Sequence, residues 1–128
     1  MMTKLYLIIN AISYLLFALW CLFKTTDTAQ NLGYSFLNNG GKTEYSAVYV
    51  GMELGFCVFF TLCAFIPKLM EAGLIFAVCM YFGLMLVRTI TVINLSDIPK
   101  NIYAVGALEY IFGIWGAILL YIQLKNDQ

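Results

Sequence analysis

The sequence predicts an all-α protein, a polytopic membrane four-helix bundle with both termini on the same side. Three observations lead there. Of 128 residues, 62% are hydrophobic and only 11% charged, against roughly half apolar and about a quarter charged in soluble domains. Four stretches, each with at most one charge, are long enough to cross about 30 Å of hydrocarbon as helices. Histidine is absent, and seven Lys and Arg balance seven Asp and Glu. That composition excludes a basic face for nucleic acid, most zinc sites and every His-dependent triad. No metal, cofactor or nucleic acid is expected.

The spans follow in order. Leu5 to Phe23 lies uncharged between Lys4 and Lys24. A Lys before an apolar run also suits a signal peptide, but this run is long and no A-x-A site follows it, so an uncleaved anchor is expected. The next three are expected at residues 46–66, 72–94 and 101–123, within one transmembrane domain covering residues 1–128. Between the first two spans lies a long link. Asp27 can cap a helix over residues 28–37 that would place Leu32, Tyr34, Phe36 and Leu37 on the bilayer surface; an ordinary polar loop is the other reading. Asn38-Asn39-Gly40-Gly41 reads as a turn. Pro67 and Lys68 leave almost no loop between spans two and three. Ser96 or Asp97, with Pro99 just after, marks the start of the fourth helix. Loop lysines are tied, Lys4, Lys68 and Lys125 on one side against Lys24, Lys42 and Lys100 on the other, so the positive-inside rule favours neither orientation. The tight second connection and short charged tail place the termini in the cytoplasm, with the chain in the cell's inner membrane.

Charges inside the spans carry the functional signal, because each costs on the order of 3 kcal/mol at mid-bilayer. Counted from the side away from the termini, Glu53, Arg88 and Glu109 fall at depths of roughly 9 to 12 Å. A Glu–Arg–Glu cluster is the economical arrangement. Two carboxylates and one guanidinium would be net negative if fully ionised, so the cluster is expected to hold one proton as a coupled unit. Helix faces support convergence. Gly106, Glu109, Gly113 and Gly116 form one stripe, Tyr81, Arg88 and Thr91 another, and Tyr6, Asn10, Ser13, Tyr14 and Phe17 a third. On span two, Tyr45, Ser46, Tyr49, Phe56 and Phe60 flank Glu53, while Ala47, Gly51 and Gly55 lie opposite, suggesting that this helix packs on two faces. Gly51-x-x-x-Gly55 could join two copies or pack helices within one chain. The expected polar site is thus Glu53, Arg88, Glu109, Tyr49, Tyr81, Thr91, Asn10, Ser13 and Tyr14. No catalytic residue stands out. Cys21, Cys57, Cys63 and Cys79 lie in apolar stretches without C-x-x-C spacing and read as packing.

The segment Glu44-Tyr45-Ser46-Ala47-Val48-Tyr49-Val50-Gly51-Met52-Glu53-Leu54-Gly55 resembles the signature of a family of small, mainly bacterial, four-helix membrane proteins catalogued as a domain of unknown function. The resemblance spans nearly the whole chain and includes a capped T-D-T-A segment leading to Leu32-Gly33, Arg88 late in span three and Glu109 in span four. Ser46 stands where members often have Arg, and Val50-Gly51 where they often have paired Gly. The resemblance implies the fold and the choice of Glu53, Arg88 and Glu109; it implies no reaction.

The function expected from these features is that of a non-enzymatic membrane protein. Two forms are open: an accessory subunit of another membrane protein or of a second copy, or a bundle that binds a lipid or small apolar ligand. Two alternatives remain, an enzyme acting on a lipid or sterol-like substrate through paired carboxylates, and a proton-coupled transporter working as an oligomer. The cluster also reads as plain structural glue.

Overall fold

The structure, a computed structural model, describes residues 1–126. Its elements are α1 (Met2–Phe23), α2 (Thr25–Asn31), α3 (Asn39–Ser46), a π-helical stretch (Ala47–Met52), α4 (Glu53–Phe65), a 3-10 turn (Pro67–Leu69), α5 (Met70–Asn94) and α6 (Lys100–Asn126). Since α3, the π stretch and α4 run on without a break, four helices are long and apolar enough to cross a membrane: Met2–Phe23, Asn39–Phe65, Pro67–Asn94 and Lys100–Lys125. The protein is an all-α, multi-pass membrane bundle. Its apolar outer surface fits that solvent, with Leu16, Val58, Phe82, Val87, Ile111 and Ile118 all exposed, because lipid rather than water covers them.

Each helix end has a local cause, and two differ from expectation. Asn38-Asn39-Gly40-Gly41 is not a free turn. Asn38 is extended and its side chain accepts a hydrogen bond from the Gly41 N–H at 3.0 Å, satisfying one of the orphan donors of a helix start. The second long helix therefore begins at Asn39, well before residue 46. In the link, helix occupies only Thr25–Asn31 rather than 28–37, with Asp27 inside its first turn. It stops at Gly33, whose φ of +85° suits a residue without Cβ. The Gly33 and Tyr34 N–H groups donate to the Gln30 and Ala29 carbonyls, the paired bonds of a Schellman end. Tyr34 and Leu37, expected on a surface helix, lie outside it and are exposed. The fourth helix begins at Lys100, after Pro99 and a left-handed Asp97.

Two helix pairs make up the bundle. α1 packs most extensively along α4 and the π stretch, and α5 along α6. The core between them holds Tyr6, Leu7, Phe60, Cys63, Leu74, Ala77 and Tyr81. Small residues set the close approaches, as expected for helices that pack without a hydrophobic drive. A Cβ on Gly73 would stand 2.5 Å from the Cys63 Cβ, one on Gly113 would meet Met85 and Tyr81, and one on Gly116 would meet the Tyr6 hydroxyl. Gly51 and Gly55 behave differently: both are exposed, and a Cβ on either would meet nothing within 4 Å. Ala47 is exposed as well. Among the described residues the second span therefore packs on one face, not two, and the Gly51-x-x-x-Gly55 motif joins no other helix.

Candidate functional site

The three intramembrane charges separate into a pair and a single carboxylate. Arg88 grips Glu109 with two parallel bonds, Nε to Oε2 and Nη2 to Oε1, each 2.6 Å. This is the bidentate geometry that a planar guanidinium makes best. Gly106, one turn before Glu109, gives the arginine room: a Cβ there would lie 2.8 Å from the Arg88 Cδ. Glu53 is outside this arrangement. It is only 8% exposed, and its Oε2 is buried with no hydrogen-bond partner. The expected three-member cluster thus resolves into the Arg88–Glu109 pair plus a free Glu53. The early start at Asn39 explains the difference in level. Along their helix axes from the end nearer the link, Arg88 lies about 9 Å in, Glu109 about 14 Å and Glu53 about 21 Å.

At the level of Glu53 lies a polar layer. Tyr81 and Asn10 are each about 20 Å from the same end of their helices. The Tyr14 hydroxyl faces both the Tyr81 hydroxyl at 3.2 Å and the Met80 sulfur at 3.5 Å. Tyr81 donates to Asn10 Oδ1 at 2.7 Å, and Asn10 Nδ2 donates to the Tyr6 carbonyl at 2.8 Å. Tyr6 in turn donates to the Phe112 carbonyl at 3.1 Å. These side chains tie α1 to α5 and α6. Each hydroxyl has one hydrogen, and every hydroxyl in this network has an acceptor other than Glu53.

Glu53 points into the same interior. It shares a helical stripe with Phe56 and Phe60, whose rings meet Tyr14 of α1 at 5.3 and 5.7 Å and Phe76 of α5 at 5.7 and 6.0 Å. Immediately before Glu53 comes the π stretch. Such wide turns are uncommon and occur frequently at functional sites. Tyr49, within the stretch, stacks on Tyr45 at 4.5 Å and shares a 2.9 Å hydrogen bond with Tyr34. Tyr45 also donates to Thr28, so the aromatic group fastens the link onto the second span.

Beside this layer α4 and α5 part company. Near their connection they interlock through Gly73 against Cys63 and Phe76 against Phe56, Phe59 and Phe60. Further along, the π stretch follows α1, and neither it nor α3 more than barely approaches α5. The α5 face that began with Gly73 and Phe76 continues as Met80, Gly83, Val87 and Thr91 at helical spacing. That continuation, with Leu84, Arg88 and Ile102, lines an open cleft of about 760 Å³. A smaller cavity of about 320 Å³ lies on the other side of Arg88, against Tyr103, Gly106 and Tyr110.

The remaining expected site residues divide. Asn10, Tyr14 and Tyr81 join one network, and Tyr49 stands one turn before Glu53 but bonds Tyr34. Thr91 directs its hydroxyl to the Val87 and Arg88 carbonyls of its own helix and is exposed. Ser13 is half-buried and makes no side-chain hydrogen bond among the described residues. Sequence reasoning missed Met80, Gly83 and Val87 as cleft walls. Their helical spacing from Gly73 is visible in the sequence, but an apolar stripe does not say whether a helix or open space lies opposite.

An α-helical, multi-pass bundle with, among the described residues, a part-buried ion pair, an unpaired buried Glu53 and an open apolar cleft is the class of protein that fold and site define. The family described as "Domain of unknown function (DUF4345)" matches residues 2–122, and the chain belongs to that family. No curated protein and no solved structure is significantly similar to it.

Proposed function

We propose that the protein is a non-enzymatic membrane binder that takes a lipid-like amphipath from the bilayer into the cleft walled by α5, the α5–α6 connection and the start of α6. The observation that carries this reading is the open cleft of about 760 Å³, whose walls are apolar except for Arg88 and Thr91. Pockets of a few hundred to about 1,000 Å³ with mostly apolar walls and a few polar groups are the usual form of small-molecule sites. The cleft is open and its walls belong largely to the apolar span α5, so a membrane-dissolved ligand would reach it without crossing water. Acid–base chemistry by paired carboxylates is the weaker reading, since Glu109 commits both oxygens to Arg88. Within this proposal the protein sits in the inner membrane with its termini in the cytoplasm.

Native mass spectrometry of protein released from mild detergent tests it, comparing wild type with Gly83→Leu. Gly83 lines the cleft and a Cβ there would meet nothing within 4 Å, so a leucine at this position projects into the cleft. A bound lipid-sized mass carried by wild type and lost in Gly83→Leu is expected. A bare wild-type chain, or a mass that Gly83→Leu retains, removes the cleft from the account.

A further inference from the structure

We infer that the ligand of this cleft is an uncharged ester, with its carbonyl oxygen seated on the Arg88 guanidinium and its tail along α5. The inference rests on the proposed binding function and names the class of ligand. A guanidinium carries five N–H donors. Arg88 gives one from Nε and one from Nη2 to Glu109, and among the described residues its Nη1 has no hydrogen-bond partner. That nitrogen is not sealed in the interior. Among the described residues the fully buried side-chain atom left without a partner is Glu53 Oε2, and the Arg88 side chain is 25% exposed. Arg88 lines the cleft and the smaller cavity alike, together with Val92 and Ile102, so the two spaces adjoin across it. Among the described residues it is the one charged side chain on either wall. The hydroxyl in the cleft wall is committed, since Thr91 donates to carbonyls of its own helix. The cleft therefore offers free donors and calls for an acceptor.

Charge selects among acceptors. Glu109 already neutralises Arg88 in a bidentate pair, so a second anion would leave net negative charge among apolar walls, which is costly. A cation brings no lone pair to the free N–H groups and meets a guanidinium of its own sign. A carbonyl oxygen accepts without adding charge, and an ester brings no hydrogen of its own that would need an acceptor. Depth agrees with this placement. Arg88 lies about 9 Å from the link-side end of α5, and Val87, Leu84, Gly83, Met80 and Cys79 continue the wall toward the middle of that helix. From Arg88 to Cys79 the helix rises about 14 Å. The ligand then lies as a membrane lipid does, with its ester near the surface and its tail toward the bilayer centre.

The test uses the whole protein in a neutral maltoside detergent, titrated calorimetrically with methyl dodecanoate, dodecane, dodecanesulfonate and dodecyltrimethylammonium. The ester is expected to bind tightest. Arg88→Met/Glu109→Met removes the guanidinium without leaving a bare charge. It should weaken the ester about ten- to hundredfold, the loss of a hydrogen bond to a charged group, and leave dodecane unchanged. In difference infrared spectra the ester carbonyl stretch should move to lower wavenumber on binding wild type and stay unshifted with the double variant. If that variant does not fold, the wild-type spectrum decides alone, and a stretch unshifted on binding overturns the inference. Equal ester affinity in wild type and the folded double variant overturns it too, as does tighter binding of the sulfonate. So does equal binding of ester and dodecane that disappears in Gly83→Leu, although that outcome leaves the proposed function standing. If no probe binds and wild type carries no lipid, both fall.

Discussion

Replacing one buried glutamate by methionine should stabilise this protein, and the same replacement at the other should destabilise it. Glu109 is held by two 2.6 Å bonds, and its side chain is 11% exposed beside a 25% exposed Arg88. Removing one partner of a buried pair costs about 3–5 kcal/mol because the other charge is left uncompensated. The partly accessible guanidinium places Glu109→Met near the lower end, about 3 kcal/mol. Glu53 has no partner to abandon. Deleting a buried, unsatisfied carboxyl removes a desolvation penalty of about 1–3 kcal/mol, and methionine conserves most of the volume. Glu53→Met should therefore gain on that scale. Reversible unfolding in mixed SDS–detergent micelles reads both, alongside the double variant Arg88→Met/Glu109→Met. In that double variant most of the Glu109→Met loss should be recovered, since no bare charge remains. Equal destabilisation by both single substitutions would mean that Glu53 has a partner in the folded protein, and the argument for a free carboxylate would collapse.

Two further outcomes follow from the packing. Tyr81→Phe removes the 2.7 Å donor to the fully buried Asn10 and should cost about 1–3 kcal/mol in the same unfolding assay; no measurable loss would mean that Asn10 finds another donor. Gly73→Ala forces a Cβ to within 2.5 Å of the Cys63 Cβ and should cost about 1–3 kcal/mol, whereas Gly55→Ala, in open space, should be neutral or gain up to about 1 kcal/mol from helix propensity. Similar effects at the two positions would show that Gly55 also packs against a helix.

What the sequence makes legible and what it hides separate along a physical line. The spans are readable because long uncharged runs have one solution in lipid, and Gly106, Gly113 and Gly116 are readable as a packing stripe because their spacing follows the helical period. The Arg88–Glu109 pair is legible for both reasons. Only depth places Glu53 in that cluster, and depth fails because Asn38 caps the helix well before the expected span. A run of glycine and asparagine carries turn propensity, yet one side-chain oxygen on one orphan N–H is enough to begin a helix there. The π stretch is invisible, since Ala47–Met52 has no composition that distinguishes a π turn from an α turn. The motif Gly51-x-x-x-Gly55 shows that close approach is allowed, not that this chain uses it.

The ion pair supplies the comparison that gives Glu53 its meaning. One buried carboxylate in this chain is fully neutralised, by an arginine on the neighbouring helix with a glycine cleared to admit it. The means to satisfy a second are near at hand, because the Tyr14 and Tyr81 hydroxyls share its level. Tyr14 directs its hydroxyl to Tyr81 and Met80, and Tyr81 donates to Asn10 instead, while a buried oxygen of Glu53 is left without a partner. Local rules are broken where function requires it and kept elsewhere. A group that costs stability, among donors committed to other acceptors and beside a π turn, is not part of what holds the helices together. Were Glu53 glue, its removal would loosen the bundle; the opposite signs expected at Glu53 and Glu109 decide between those accounts without any knowledge of the ligand.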